Sequence, residues 1–228
     1  MEGWTMYGTV LRDEEKKRLA DRIVDAVVKE IQESCMVEVE ASGRHVHLCR
    51  ADIDALFGTG YQLTRVRDLS QPGQYVCQER VSLGGPKGTL HNVVILGPER
   101  KETQAEVSMT DCLALGIKAP VRLSGDIEGT PGAVFSYKDR QVIKDKGVIV
   151  AKRHMHITPE DAEKFGVRDG DALKIKVFGS RPLIFEDTIA RVSPDFQTDV
   201  HIDYDEANAC GFQKGTFCRI VGKERNGG

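Results

Sequence analysis

The sequence predicts a mainly β protein of barrel or sandwich type, with short helices between its strands and one longer helix near the N-terminus. Runs of β-branched and apolar residues are short, and Gly, Pro and Asp separate them. The chain of 228 residues contains 23 glycines. Short strands with frequent turn signals favour a barrel or a sandwich over a doubly wound sheet.

The N-terminal helix is predicted over residues 13–33. Apolar residues recur there at three- and four-residue spacing, at Leu19, Ile23, Ala26, Val27 and Ile31. This spacing is typical of an amphipathic helix. Acidic residues at its start suit the positive end of the helix dipole. We expect the helix to pack on the core, and docking on a partner surface is the alternative.

From residue 37 onward the pattern changes to short strands interrupted by single helical turns. The strands are indicated at Val37–Glu40, Asn92–Leu96, Val121–Ser124, Gly147–Ala151, Leu173–Phe178 and Thr216–Val221. The helical turns are indicated at Arg50–Phe57, Thr110–Leu115, Thr158–Phe165 and Asp205–Ala209. The third turn starts with Thr158 followed by a proline, a favourable beginning for a helix.

The stretch 125–146 is the best candidate for a linker. It is rich in Gly, Pro and charged residues and has no sustained periodicity. A boundary near residue 140 gives halves of comparable size. We therefore predict an N-terminal segment with its helix (1–36), a first domain (37–140) and a second domain (141–228).

Composition excludes several partners. The net charge is −3, with 29% charged and 40% apolar residues, so no basic surface for nucleic acid is expected. No apolar run approaches the roughly 20 residues of a membrane span, and the N-terminus lacks the pattern of a secretory signal. The six cysteines form no Cys-X-X-Cys pair. Buried, reduced thiols are expected, with zinc ligation by one of them as the alternative.

The two halves of the chain carry matching motifs. The first match joins Gly43–Asp52 to Lys152–Asp161 at an offset of 109 residues, and each segment contains Arg, His-X-His and then a helical turn. The second joins Glu106–Gly116 to His201–Gly211 at an offset of 95 residues, fixed by a shared Ala-X-Gly. When the two segments are aligned in this way, Glu106 and His201 therefore occupy equivalent positions.

Each His-X-His pair is suited to bind a metal ion, because alternate side chains of a strand point to the same face. A third ligand from Glu106 or His201 leaves an open tetrahedral position, which is typical of catalytic zinc. Hydrogen-bonded surface histidines are the alternative for a single motif, and iron, cobalt, nickel or copper are alternatives to zinc. Repetition of the motif favours two metal sites, formed by His45, His47 and Glu106 and by His154, His156 and His201.

A second group of candidate residues follows a Gly-Pro turn. The segment 96–106 leads from this turn through Arg100 to Glu106. The guanidinium of Arg100 is suited to a phosphate or carboxylate near the metal ions, and a solvated charge beside Lys101 is the alternative. The chain has no P-loop, dinucleotide fingerprint or Gly-X-Ser-X-Gly elbow.

At these motifs the sequence resembles the phosphate propanoyltransferase family, the phosphotransacylases associated with bacterial microcompartments. The resemblance extends from about residue 37 to residue 221. It depends on the segments 42–48, 97–108, 151–156, 200–202 and 208–211. Ala105 and His91 depart from the family pattern, and neither is a proposed metal ligand.

The resemblance implies two related β-barrel domains, flanked by short helices, that form one shared active site with a dinuclear zinc centre. It implies transfer of a short acyl group, propanoyl or acetyl, between coenzyme A and inorganic phosphate to give acyl phosphate. By motif position it implies that Arg100 binds phosphate and that Ser42, Gln104 and Asn208 lie near coenzyme A. His45, His47 and Glu106 would hold one zinc ion, and His154, His156 and His201 the other.

The resemblance also implies a cytoplasmic enzyme, or one inside a bacterial microcompartment with shell or lumen proteins as partners. We expect a homo-oligomer and neither nucleic acid nor membrane as a partner. Whether residues 1–33 carry a targeting signal stays open. Two other functions stay open as well, a dinuclear metallohydrolase acting on an ester or phosphoester and a non-enzymatic structural zinc protein.

Overall fold

The structure is a computed structural model that describes residues 13–33 and 35–223. The chain divides into an N-terminal unit that ends at Met36 and a larger unit that begins at Val37. The N-terminal unit contains helix α1 (Asp13–Glu33), which confirms the predicted helix. Its side chains from Asp13 to Val27 are exposed. None of the helices in the described part of the chain is long and apolar enough to cross a membrane.

The larger unit contains a closed six-stranded barrel. In order around the barrel its strands are β1 (Met36–Ser42), β14 (Asp199–Asp203), β11 (His154–Ile157), β13 (Leu183–Val192), β12 (Ala172–Val177) and β15 (Phe217–Lys223). Strand β11 runs antiparallel to β14 and parallel to β13. A backbone hydrogen bond of 2.8 Å from Val39 N to Thr216 O joins the two ends of the sheet.

The second sheet of this unit has nine strands and curls into a half-barrel. Its order is β7 (Val121–Arg122), β10 (Val148–Ala151), β6 (Gln104–Val107), β2 (His45–His47), β5 (Thr89–Gly97), β4 (Tyr75–Gly84), β8 (Ala133–Tyr137) and β9 (Arg140–Lys144), with β3 (Arg65–Asp68) also paired to β4. The predicted mainly β fold is thus confirmed, with one closed barrel and one curled half-barrel.

The two sheets exchange a strand. Strand β1, from the first half of the sequence, pairs in parallel with β14 of the barrel. Strand β10, from the second half, pairs in parallel with β6 of the curled sheet. Consequently each sheet contains one strand from the other side of the predicted boundary near residue 140. The assignment of domains stays a prediction.

The predicted linker at 125–146 is wrong in one respect. Strands β8 and β9 lie within it and form an antiparallel hairpin at the edge of the curled sheet. Every residue of β9 is at least partly exposed. Because most of its side chains are exposed, its composition resembles that of a loop.

The four short helices of the larger unit lie where the helical turns were predicted. They are α2 (Arg50–Phe57), α3 (Met109–Leu115), α4 (Pro159–Phe165) and α5 (Tyr204–Cys210). Ser108 and Asp203 begin α3 and α5 with capping boxes, and Thr158 caps α4 through Asp161 N. Such a cap contributes about 1 kcal/mol to helix stability.

Each sheet has its own hydrophobic core. Val46, between the two histidines of the first pair, is fully buried in the core of the curled sheet. Met155, between the two histidines of the second pair, is fully buried in the core of the barrel. Burial of such a side chain contributes about 1.5–3 kcal/mol. Packing of the middle residue therefore fixes the opposite face of each strand, which carries both histidines.

Candidate active site

The strand register brings three candidate ligands together in each half. Strand β2 runs antiparallel to β6 and places His45 opposite Glu106. Strand β11 runs antiparallel to β14 and places His154 opposite His201. The two sequence offsets thus correspond to one structural arrangement that occurs twice.

The first cluster consists of His45, His47 and Glu106, all buried on β2 and β6. Oε1 of Glu106 lies 3.5 Å from His45 Nε2 and 3.8 Å from His47 Nε2. Nδ1 of His45 bonds to Gly43 O at 2.8 Å, and Nδ1 of His47 bonds to Leu96 O at 3.2 Å. Because each Nδ1 donates a hydrogen bond to a carbonyl oxygen, the lone pair of each Nε2 is free to coordinate a metal ion.

The second cluster consists of His154, His156 and His201, whose ring centroids lie 4.6–5.3 Å apart. Nδ1 of His154 bonds to Lys152 O at 2.8 Å, and Nδ1 of His156 bonds to Asp199 Oδ1 at 3.3 Å. The lone pairs on Nε2 of His154 and of His156 are therefore also free to coordinate a metal ion.

The electrostatics of the clusters keep His47 and His154 neutral and Glu106 ionised, whereas they favour the protonated form of His45. Burial lowers the pKa of His47 and of His154 to about 3, so both imidazoles are neutral at neutral pH. Burial would also lower the pKa of His45, but the attraction of Glu106 raises it above its ordinary value. Burial would raise the pKa of Glu106, yet His45 and His47 hold it well below its usual range. A divalent cation binds neutral imidazoles and ionised carboxylates.

The donor atoms fit a divalent metal ion in both clusters. Within each set the candidate ligand atoms lie within 4.8 Å of one another. In the second set, Nε2 of His201 is buried and makes no hydrogen bond of good geometry, although Asp199 Oδ1 lies 3.2 Å from it, so this nitrogen has a lone pair to offer a cation. Two imidazoles with a carboxylate, or three imidazoles, suit zinc with one position left open.

Arg100 lies at the edge of the first cluster and is linked to it by hydrogen bonds. Its backbone N donates to Leu48 O, and its Nη1 donates to Ser124 Oγ, each at 3.0 Å. Nε2 of Gln104 donates to the same Oγ at 2.9 Å and to Glu106 Oε1 at 2.7 Å. Ser124 and Gln104 therefore connect the guanidinium to a candidate metal ligand.

Both clusters and Arg100 line one cleft of about 280 Å³. Strands of the curled sheet form one part of its wall, and strands of the barrel form another. Cationic side chains on the wall are Arg44, Arg67, Arg100, Lys152 and Arg191. Apolar side chains on the wall include Leu69, Val76, Val94, Leu96 and Phe196. A ligand with both anionic and apolar parts matches this lining.

The three residues expected near coenzyme A have different surroundings. Ser42 lies on the wall of the cleft. Gln104 is buried, and its amide also accepts from Gly125 N at 2.7 Å, so its hydrogen bonds are made within the protein. Asn208 is exposed on α5 and is not part of the cleft lining. The assignment of all three to coenzyme A stays a prediction.

Sequence reasoning missed several residues around the clusters. Asp199 stands opposite His156 as Gln104 stands opposite His47, and the offset of 95 residues would have found it. An arginine precedes each His-X-His pair and forms an ion pair with the helix that follows the third candidate ligand. Arg44 pairs with Asp111 of α3, and Arg153 pairs with Glu206 of α5. No signal in the sequence pointed to Gln71 or Ser124.

Comparison with known proteins identifies the family of the chain. A family model described as phosphate propanoyltransferase matches residues 38–213. A phosphate propanoyltransferase of Clostridioides difficile is 56% identical over 91% of this chain and 99% of its own length. That of Listeria monocytogenes is 57% identical over 90% and 98%, and that of Enterococcus faecalis is 61% identical over 86% and 93%. The chain therefore belongs to the phosphate propanoyltransferase family.

Proposed function

We propose that the chain is a phosphotransacylase that transfers a short acyl group, propanoyl or acetyl, between coenzyme A and inorganic phosphate at two zinc ions. Membership of the family supports the reaction class. The observation that carries the proposal is the pair of buried ligand clusters in one cleft, beside a half-buried arginine.

His45, His47 and Glu106 would hold one zinc ion, and His154, His156 and His201 the other. Bound zinc supplies Lewis acidity, which polarises a thioester carbonyl and favours departure of the thiolate. Hydrogen bonds from Nδ1 would keep four of the imidazoles oriented for this role, those of His45, His47, His154 and His156. Burial of the ligands excludes competing water and strengthens the electrostatic interactions in the cleft.

Arg100 would bind the phosphate. One of its Nη atoms donates to Ser124, which fixes the direction of the guanidinium and leaves its other N–H groups for phosphate oxygens. A phosphate oxygen attacks the thioester carbon, a C–O bond forms, and the C–S bond breaks as coenzyme A leaves as thiolate. The transfer proceeds in a ternary complex without an acylated side chain.

Coenzyme A would lie along the cleft, and family position assigns Ser42, Gln104 and Asn208 to it, although Gln104 and Asn208 lie outside the cleft lining. Ser42 supports this placement best, because it lies on the cleft wall beside the first cluster. A cytoplasmic or microcompartment location, partners in the shell or lumen, and a homo-oligomer belong to the same proposal and depend on the family resemblance.

The test measures thiol release from a panel of acyl-CoA substrates with and without phosphate, together with zinc content of the same sample. We expect phosphate-dependent release, acyl phosphate as product and about two zinc ions per chain. Thiol release that does not depend on phosphate would favour a metallohydrolase instead. Trapping of an acylated cysteine or histidine during turnover would contradict direct transfer.

A matched pair of variants separates the metal sites from general effects of removing a histidine. His47→Ala removes a buried ligand of the first cluster and should abolish transfer. His91→Ala removes an exposed histidine whose Nδ1 bonds to Ser82 Oγ at 3.0 Å, and transfer should persist. Unfolding of the whole chain upon chelation of zinc would favour a structural zinc protein.

A further inference from the structure

A carboxylate contacts two histidines of the second cluster, His156 on the side away from the candidate metal position and His201 at its Nε2. Asp199 is 3% exposed and is the first residue of β14, the strand that also carries His201. Its Oδ1 lies 3.3 Å from His156 Nδ1 and 3.2 Å from His201 Nε2. One oxygen therefore contacts two of the three candidate ligands, and no counterpart of this contact exists in the described first cluster.

A glutamine from the other sheet holds this carboxylate. Gln71 lies in the connection between β3 and β4 and is 2% exposed. Its Nε2 donates to Asp199 Oδ2 at 2.8 Å and to Gln197 O at 2.9 Å, while its Oε1 accepts from Gln197 N at 3.4 Å. The second oxygen of Asp199 is thus anchored, which leaves its first oxygen directed at the histidines.

The internal repeat shows how this differs from the first cluster. Strand β6 presents Gln104 and then Glu106, whereas β14 presents Asp199 and then His201, at the same register positions. Each strand carries one carboxylate. In β6 it occupies the ligand position and an amide supports it, and in β14 it occupies the neighbouring position and contacts two of the ligands.

We propose that Asp199 is a positioning residue of the second metal site and that Gln71 holds it in place. Asp199 Oδ1 accepts a hydrogen bond from Nδ1–H of His156, which fixes the tautomer with Nε2 free for the ion. Its negative charge also offsets the charge of a cation bound by three neutral imidazoles. Carboxylates behind ligating histidines commonly change metal affinity by about 10–100-fold. This inference rests on the proposed function insofar as the second cluster binds zinc.

The test measures zinc affinity at each site separately, by competition with a chromophoric chelator. His47→Ala weakens the first site and leaves the second for measurement, and His154→Ala does the reverse. Asp199→Asn keeps the shape and removes the charge. In the His47→Ala background we expect it to weaken zinc binding by about 10–100-fold, and in the His154→Ala background we expect no change. Gln71→Ala should act in the same direction with a smaller effect.

A control variant removes a similar carboxylate from the same region. Asp161 accepts from Thr198 Oγ1 at 2.5 Å and lies outside the cleft lining, so Asp161→Asn should leave zinc affinity unchanged at both sites. If a histidine background fails to fold, the single variant Asp199→Asn is dialysed against chelator. Its zinc content should fall from about two ions to about one, while the control retains both. Cobalt substitution provides a spectroscopic readout, since the bands of the second site alone should shift.

An equal effect of Asp199→Asn on both sites, or no effect on either, overturns the inference. Zinc binding that depends on Asp199 in a protein without phosphate-dependent transfer supports the inference and contradicts the proposed reaction. Absence of any bound divalent metal in the unmutated protein overturns both.

Discussion

The replacement Arg100→Lys tests whether the guanidinium binds phosphate. Both side chains are cationic, so the variant keeps the charge in the cleft and removes the planar fork of donors. Lysine also cannot reproduce the bond of 3.0 Å from Nη1 to Ser124 Oγ in the same orientation. We therefore expect weaker binding of phosphate with little change in the binding of acyl-CoA.

The magnitude follows from the loss of one charge-assisted hydrogen bond, which contributes about 1.5–3 kcal/mol. Because each 1.4 kcal/mol corresponds to about a tenfold change, KM for phosphate should rise by about 10- to 150-fold. Ser124→Ala removes one neutral partner of the guanidinium at a cost of about 0.5–1.5 kcal/mol. Its effect on KM should be about two- to tenfold, and the two changes should be less than additive because they act on one contact.

The assay is steady-state kinetics with phosphate varied at saturating acyl-CoA, and then the reverse. Arg122→Lys is the matched control, since Arg122 is an exposed arginine paired with Asp126 at 3.4 Å and lies outside the cleft lining. The reasoning is refuted if Arg100→Lys leaves KM for phosphate unchanged. It is also refuted if KM for acyl-CoA rises instead.

Three further outcomes concern metal content, pH and packing. Glu106→Gln should reduce bound zinc from about two ions per chain to about one, measured by elemental analysis after dialysis, and two retained ions would contradict the ligand set. Burial raises the pKa of the Cys218 thiol to about 12. In the unfolded chain this thiol loses its proton at lower pH than in the folded protein. The free energy of unfolding should therefore fall by about 1 kcal/mol between about pH 9 and 10. Urea unfolding measures this fall, which should be smaller in Cys218→Ala. Gly132→Ala would place Cβ 1.9 Å from Lys144 O and should lower the free energy of unfolding by about 1–3 kcal/mol. Gly222→Ala, with its nearest atom 3.7 Å away, should change it little, and equal melting temperatures for the two glycine variants would contradict the packing argument.

The histidine clusters could be predicted because each His-X-His pair lies within three consecutive residues and the motif occurs twice in the sequence. Alternation along a strand places His45 with His47, and the repeat then identifies a third residue without any knowledge of tertiary contacts. The short helices were predictable for the same reason, since caps such as Thr158 act within one turn. Glu106 and His201 were found only because the same arrangement occurs twice.

Residues held by long-range contacts could not be predicted. Gln71 reaches Asp199 across 128 positions of sequence, and nothing in its neighbourhood distinguishes it from an ordinary loop glutamine. The sequence of the β8–β9 hairpin predicts a linker because periodicity weakens when one face of a hairpin lies in solvent. The exchange of β1 and β10 was invisible as well, because a pattern of apolar residues indicates a strand and does not indicate its neighbours.

The strand exchange explains why two clusters built by separate halves face a single cleft. The chain leaves the barrel at the end of β1 and enters the curled sheet at His45, and only Gly43 and Arg44 lie between. It makes the reverse crossing between β10 and His154, through Lys152 and Arg153. Each histidine strand therefore begins where the two sheets adjoin, so that its first histidine lies at the boundary. The Arg44–Asp111 and Arg153–Glu206 pairs occupy these crossings. Because each crossing precedes one cluster, the same feature of the topology brings both sets of candidate ligands to the lining of one cleft.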